Sequence, residues 1–205
     1  MIHQGLSLMN ELGFEQFTFK KLAERIGSTE ASVYRYFENK QKLLIYLNAR
    51  YWSWVDYRID FDTHNLPDPY LRINRAWEIL CHVNVQDDEM AMDVAALRRV
   101  VISESDKTYL TKEVDQINKE GLFVDYKSLC HRLALMIKEL RDDYAYSHAI
   151  VSTLLEASHQ QYFFANHLPA LTEISKGEEE EVNKQVHGFI MDTMSKILTS
   201  NAVTA

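Results

Sequence analysis

Phe17-Thr18-Phe19-Lys20-Lys21-Leu22-Ala23-Glu24-Arg25-Ile26-Gly27-Ser28-Thr29-Glu30-Ala31-Ser32-Val33-Tyr34-Arg35-Tyr36-Phe37-Glu38-Asn39-Lys40 is the stretch on which the fold is read. Thr18 is a good helix N-cap, because its hydroxyl can accept one of the unpaired N–H groups of a first turn. Leu22, Ala23 and Ile26 fall on one face of the short helix that follows. Gly27 stands just past Ile26, where a left-handed residue commonly ends a helix. Ser28 or Thr29 can cap the next helix, whose apolar residues are Val33 and Phe37. Asn39 can cap a longer helix from Lys40, with Leu43, Leu44 and Leu47 inward.

Two short helices joined by a glycine turn make a helix-turn-helix, whose second helix enters the major groove of DNA. Leu22, Ile26, Val33 and Phe37 supply a small core with a preceding helix that carries Ile2, Leu6, Leu8, Met9 and Leu12 and stops at Gly13. Ala23 is small where two helices must approach. The outer face of the second helix then shows Thr29, Glu30, Ser32, Arg35 and Tyr36, groups suited to base edges and phosphates.

The same residues carry a family resemblance. Gly13-Phe14, Thr18, Leu22-Ala23, Ile26-Gly27-Ser28, Val33-Tyr34-Arg35-Tyr36-Phe37, Asn39-Lys40 and Leu43-Leu44 resemble the head of the tetracycline-repressor (TetR) family over about residues 2–47. The resemblance implies roles one by one. Thr18, Tyr36 and Lys40 match positions that hold the phosphate backbone. Ser28, Thr29, Glu30, Ala31, Ser32 and Arg35 match recognition-helix positions that contact bases. Tyr34 matches a tyrosine that meets backbone or a thymine methyl. Family members carry basic residues ahead of the first helix, whereas this helix starts almost at Met1. Either the head grips more weakly or further residues precede it.

Composition fits an all-α chain. Among 205 residues, 46% are hydrophobic and only six are Gly and three Pro, enough apolar material for a core and little turn chemistry. The net charge is −8, but it is unevenly placed. Residues 1–50 hold seven Lys/Arg against five Glu, a net of +2, which leaves −10 for the remainder. Only the head is suited to DNA, and modestly so. No run of about 18 apolar residues predicts a membrane span, and the N-terminus lacks a signal-peptide pattern. Cys81 and Cys130 are not in CxxC spacing, which suits a reducing cytoplasm. Each precedes a histidine, His82 and His131, but zinc sites use more ligands at tighter spacing, so both read as buried thiols and no metal is expected. No GxGxxG, Walker, HExxH or GxSxG motif occurs, so neither an enzyme nor a cofactor is expected.

The expected organisation is a three-helix helix-turn-helix head over 1–47 and a helical ligand-binding and dimerisation domain over 48–205. Pro67 and Pro69 break the chain after about Asp60. Helices are expected over about 70–85, from Asp87-Asp88-Glu89 to about 102, over 107–120, over 126–141 after Gly121, over 144–166, and from the acidic run Glu178–Glu181 onward. Trp52, Trp54, Tyr57, Trp77, His82, Met90, Met92, Tyr126 and Met136 are candidates for the wall of a pocket for a small apolar effector. Tyr146, Ile150, Thr153, Leu154, Ala157, Gln161 and Phe164 form one stripe of the last helix pair. Val186, Phe189, Ile190, Thr193, Met194 and Ile197 form the other. Together they suit a four-helix dimer seam. The expected function is a dimeric regulator, by expectation a repressor, on a palindromic operator and released by its effector. The alternative is a helical sensor or interaction protein whose head no longer binds DNA, a reading that the low head charge keeps open.

Overall fold

The computed structural model describes residues 1–82 and 93–199, and they form helices and turns. In chain order these are α1 (Ile2–Gln16), α2 (Phe19–Arg25), α3 (Glu30–Tyr34), α4 (Lys40–Thr63), α5 (Pro69–Leu80), α6 (Val94–Tyr109), α7 (Val114–Lys119), α8 (Val124–Leu140), α9 (Ser147–His167), a 3-10 turn (Pro169–Leu171) and α10 (Glu179–Thr199). The all-α class is thus as the sequence predicts. The expected helix over 70–85 ends at Leu80, with Cys81 as its C-cap. Its last residues, the Asp87–Glu89 opening, Met90 and Met92 lie outside the described residues. α6 runs on to Tyr109, so the helix expected over 107–120 is only the short α7.

By packing, the described chain divides into two compact units, 1–54 with 93–126, and 55–82 with 127–199. The first unit therefore holds α6 and α7 as well as the head, while the sequence pattern suggests a division at residue 47. The reason is visible in the core. Ile45 (1% exposed) is buried with Ile117 and Phe123, and Tyr109, Val114 and Leu122 pack round them. A head ending at residue 47 would leave Ile45 in water.

Within the first unit, α1, α2 and α4 meet over Leu6, Met9, Phe17, Leu22, Leu43 and Leu44, all buried. Each such side chain contributes about 1.5–3 kcal/mol when fully buried. Gly5 permits the close approach of α1: a Cβ there would stand 3.2 Å from Leu43 Cδ2 and 3.7 Å from Leu22 Cδ2. α1 carries a break at Gly13, whose φ of 74° and ψ of 162° suit only glycine. In the second unit Asp68 caps α5 by accepting from the Tyr70 N–H, with Pro69 in the first turn. α9 and α10 pack together there, with Val151, Leu154, Leu155, Val182, Val186, Ile190 and Met194 buried.

Candidate nucleic-acid interface

The α2–α3 unit is set by two caps and one glycine. The Thr18 hydroxyl accepts from the Lys21 N–H at 3.3 Å and starts α2. Gly27, at φ 63°, lets the chain turn, and the Ser28 N–H donates back to the Ala23 carbonyl at 2.9 Å. The Thr29 hydroxyl accepts from the Ser32 N–H at 3.3 Å and starts α3. Inward lie Leu22 and Val33, both 0% exposed, and Ala23. Outward lie Ser28, Thr29, Glu30, Ala31, Tyr34, Arg35 and Tyr36, all exposed, while Ser32 is half-buried and its hydroxyl pairs with that of Thr29 at 2.9 Å. Tyr34 has one ring edge on Phe19, 5.0 Å between centroids, and its other side in solvent. Eight of the ten expected contact residues are thus exposed, and Ser32 and Lys40 are half-buried.

Lys40 is placed differently from the expectation of a plain phosphate ligand. Its ammonium donates to the Phe14 carbonyl at 2.9 Å and the Glu15 carbonyl at 3.3 Å, and lies 4.4 Å from the Phe14 ring centroid. It therefore caps the end of α1, whose last carbonyls lack intrahelical partners.

Two further arrangements escape sequence reasoning. Arg25 donates to both carboxylate oxygens of Glu11, at 2.6 and 2.7 Å. This fixes α2 on α1 and lowers the Glu11 carboxyl to about 2. At the Gly13 break, the buried Glu104 carboxylate of α6 accepts from the Phe14 N–H at 3.1 Å and from the Lys107 ammonium at 2.5 Å. That ion pair holds the Lys107 ammonium above the ordinary lysine value. Asn10 donates to the Ala96 carbonyl at 3.1 Å and Gln41 to the Lys107 carbonyl, so α6 is bonded to α1 and α4 along its length. These partners are 66 to 90 residues apart in the chain, and no local pattern announces them.

Residues 2–47 match the family model described as "Bacterial regulatory proteins, tetR family". Over 44 residues the chain is 43% identical to the tetracycline repressor protein class G of Vibrio anguillarum, a stretch that is 22% of this chain and 21% of that protein. The likeness in fold extends much further. A transcriptional regulator of Saccharomonospora viridis, solved with choline, superposes with a TM-score of 0.65 at 14% identity over 93% of both chains. A TetR-family regulator of Bordetella parapertussis gives 0.61 at 12% identity, over 93% of this chain and 92% of that one. Residues 2–47 thus match the TetR-family head, and the chain as a whole shares the fold of these solved regulators.

The rest of the chain holds the other expected residues. The pocket candidates fall into two groups. In the first unit Trp52 is 2% exposed, donates its indole N–H to the Tyr109 hydroxyl at 2.6 Å, and lies 4.8 Å from the Tyr126 ring. Trp54 is half-buried there, 6.4 Å from Tyr51. In the second unit Trp77 is 1% exposed and fills the core, while Tyr57 is exposed and stacks on the equally exposed Phe61. His82 turns the chain at φ 60°, and its carbonyl accepts from Asn183 at 3.3 Å. Met136 edges a cleft of about 280 Å³ whose other walls include Asp60, His64, Arg72, Arg132 and Glu139. That cleft is charged where an apolar wall was expected. A second cleft, of about 310 Å³ in the first unit, is bounded by His3, Ser7, Asn10, Asp93 and Arg99.

The two expected seam stripes are likewise mixed. Leu154, Val186, Ile190 and Met194 are consumed in the chain's own core. Tyr146, Thr153 and Phe189 are exposed, and Ile150, Ala157, Gln161, Phe164, Thr193 and Ile197 are half-buried. The reason is geometric: in the α9–α10 pair, each helix turns one side to its neighbour and keeps another outward.

Proposed function

We propose that this chain is a DNA-binding transcriptional regulator, by our reading a repressor, that grips a palindromic operator as a homodimer and is released by a small apolar effector. One observation carries the reading: the polar face of α3 points to solvent around a fully buried Val33. Thr29, Glu30, Ala31 and Arg35 then face base edges, and Thr18, Ser28, Tyr34 and Tyr36 flank them toward the backbone. Lys40 reaches phosphate from a position it already holds beside α1. Ser32 acts mainly through its bond to Thr29.

Dimerisation follows from the size of the reader, since one five-residue helix touches few base pairs. Two heads a helical turn apart, about 34–36 Å, read a useful site. Tyr146, Ile150, Thr153 and Phe189 are the accessible side chains from which a second copy is met. Release requires an effector that binds one conformer more tightly than the other. The bonds from α6 to Asn10, Phe14 and Gln41 support a route by which a shift of α6 carries the head with it.

The test is selection of bound fragments from random duplexes. The expected product is an inverted repeat with half-site centres about one turn apart. Arg35→Ala should alter preference at one position per half-site, costing about 1–3 kcal/mol against the wild-type sequence. Lys40→Ala should weaken all sequences alike and reduce the salt slope by about one. No enriched sequence, or binding that neither substitution changes, refutes the reading.

A further inference from the structure

α8 and α9 are joined by residues 141–146, and across that connection two exposed histidines face each other. His131 Nδ1 lies 3.1 Å from His148 Nε2, with ring centroids 5.4 Å apart and planes inclined by 23°. As drawn, one proton is shared, and either ring can donate it. The nitrogen spacing also admits a metal chelate once each ring swings, for the 5.4 Å between centroids shows that both lone pairs now aim along the N–N line. An ion held about 2.0–2.1 Å from each nitrogen, the usual zinc–imidazole distance, would subtend an angle of about 100° at the metal. This lies between the right angle of square and octahedral fields and the tetrahedral angle.

We infer that His131 Nδ1 and His148 Nε2 form a two-histidine site for a divalent transition metal of the zinc, nickel or copper class. This goes beyond the regulator reading and does not depend on it. Imidazole nitrogen suits those ions, whereas calcium and magnesium take oxygen ligands. The bond that is broken is the shared hydrogen bond. Its proton passes through solvent to the far nitrogen of the same ring, so both rings stay neutral as ligation requires. Among the described residues no three His, Cys, Asp or Glu side chains gather as a metal cluster, so water fills the remaining positions. The bound ion clips the middle of α8 to the first turn of α9, next to Tyr146 and Ile150 of the proposed dimer seam. Local spacing conceals the site, because its ligands are 17 residues apart.

The experiment is calorimetric titration of the full, untagged chain with zinc chloride, in wild type and in His131→Ala, His148→Ala and His167→Ala. All three histidines are exposed, so the variants should keep the wild-type circular dichroism. One saturable equivalent is expected in wild type and in His167→Ala, with at least tenfold weaker binding in each of the other two. Copper(II) in place of zinc should give an electron paramagnetic resonance spectrum with two nitrogen donors. The proposal is overturned if wild type takes up no saturable equivalent, or if either His131→Ala or His148→Ala retains it. Loss in His167→Ala as well would mean adventitious surface binding only.

Discussion

Glu104→Ala removes the carboxylate that α6 sends to the Gly13 break. The side chain is 9% exposed and serves two partners: the Phe14 N–H, 3.1 Å away in a buried position, and Lys107, whose side chain is 37% exposed. Truncation strands the N–H, at a cost of about 1–3 kcal/mol. The loss of the half-exposed lysine pair adds at most about 0.5 kcal/mol after solvent screening. The expected destabilisation is about 1–3.5 kcal/mol, or roughly 2–14 °C in melting temperature for a chain of this size. Glu104→Gln keeps an oxygen for the Phe14 N–H and forfeits only the charge, so it should cost about 1 kcal/mol or less. The assay is urea unfolding at one fixed protein concentration, where the midpoint should fall in the order wild type, Glu104→Gln, Glu104→Ala with unchanged slope. If Glu104→Ala lies within about 0.5 kcal/mol of wild type, or if the two variants are equal, the carboxylate does not hold the break and the reasoning fails.

Four other outcomes are expected. Gly13→Ala should lower stability by about 1–3 kcal/mol although its Cβ meets nothing within 4 Å, because the backbone region itself excludes a side chain. Gly5→Ala should be close to neutral in the same thermal melts, since gained helix propensity offsets the push on the flexible Leu43 tip. The Glu11 carboxyl, followed by carbon-13 resonance, should titrate near 2, and Arg25→Ala should return it toward 4.5. Because the folded value is the lower one, this pair's contribution is complete above pH 4.5 and disappears as pH falls toward 2. Phe189→Glu should separate the proposed dimer in sedimentation velocity while leaving helical content intact, whereas Ile190→Glu, at a position 0% exposed, should unfold the chain.

What was legible in the sequence is what local chemistry decides. Thr18, Thr29 and Asn39 cap the helices they precede, Gly13 and Gly27 take positive φ, and Val33 turns inward. Each follows from a hydroxyl, an amide or a missing Cβ acting within four residues. The exposed polar face of α3 is therefore readable from 17–36 alone, and the family resemblance over 2–47 rests on the same residues. The unread part is made of distant pairs. Nothing near Glu104 states that its oxygen meets Phe14, and nothing near Lys40 states that the end of α1 claims its ammonium. The aromatic pocket candidates show the same limit: Trp77 and Tyr57 have similar side chains, yet packing buries the first and exposes the second. Periodicity shows which residues share a side of a helix, not which neighbour covers that side.

The burial of Ile45 beneath α7 and Phe123 bears on how this reader can be recombined. A chimera made by grafting residues 1–47 onto a foreign body would carry a bare isoleucine and an α1 break with no carboxylate to close it. The exchangeable cassette is discontinuous, with one piece ending near Trp54 and a second reaching to Tyr126. Successful swaps between relatives should respect those two joints and move both pieces together.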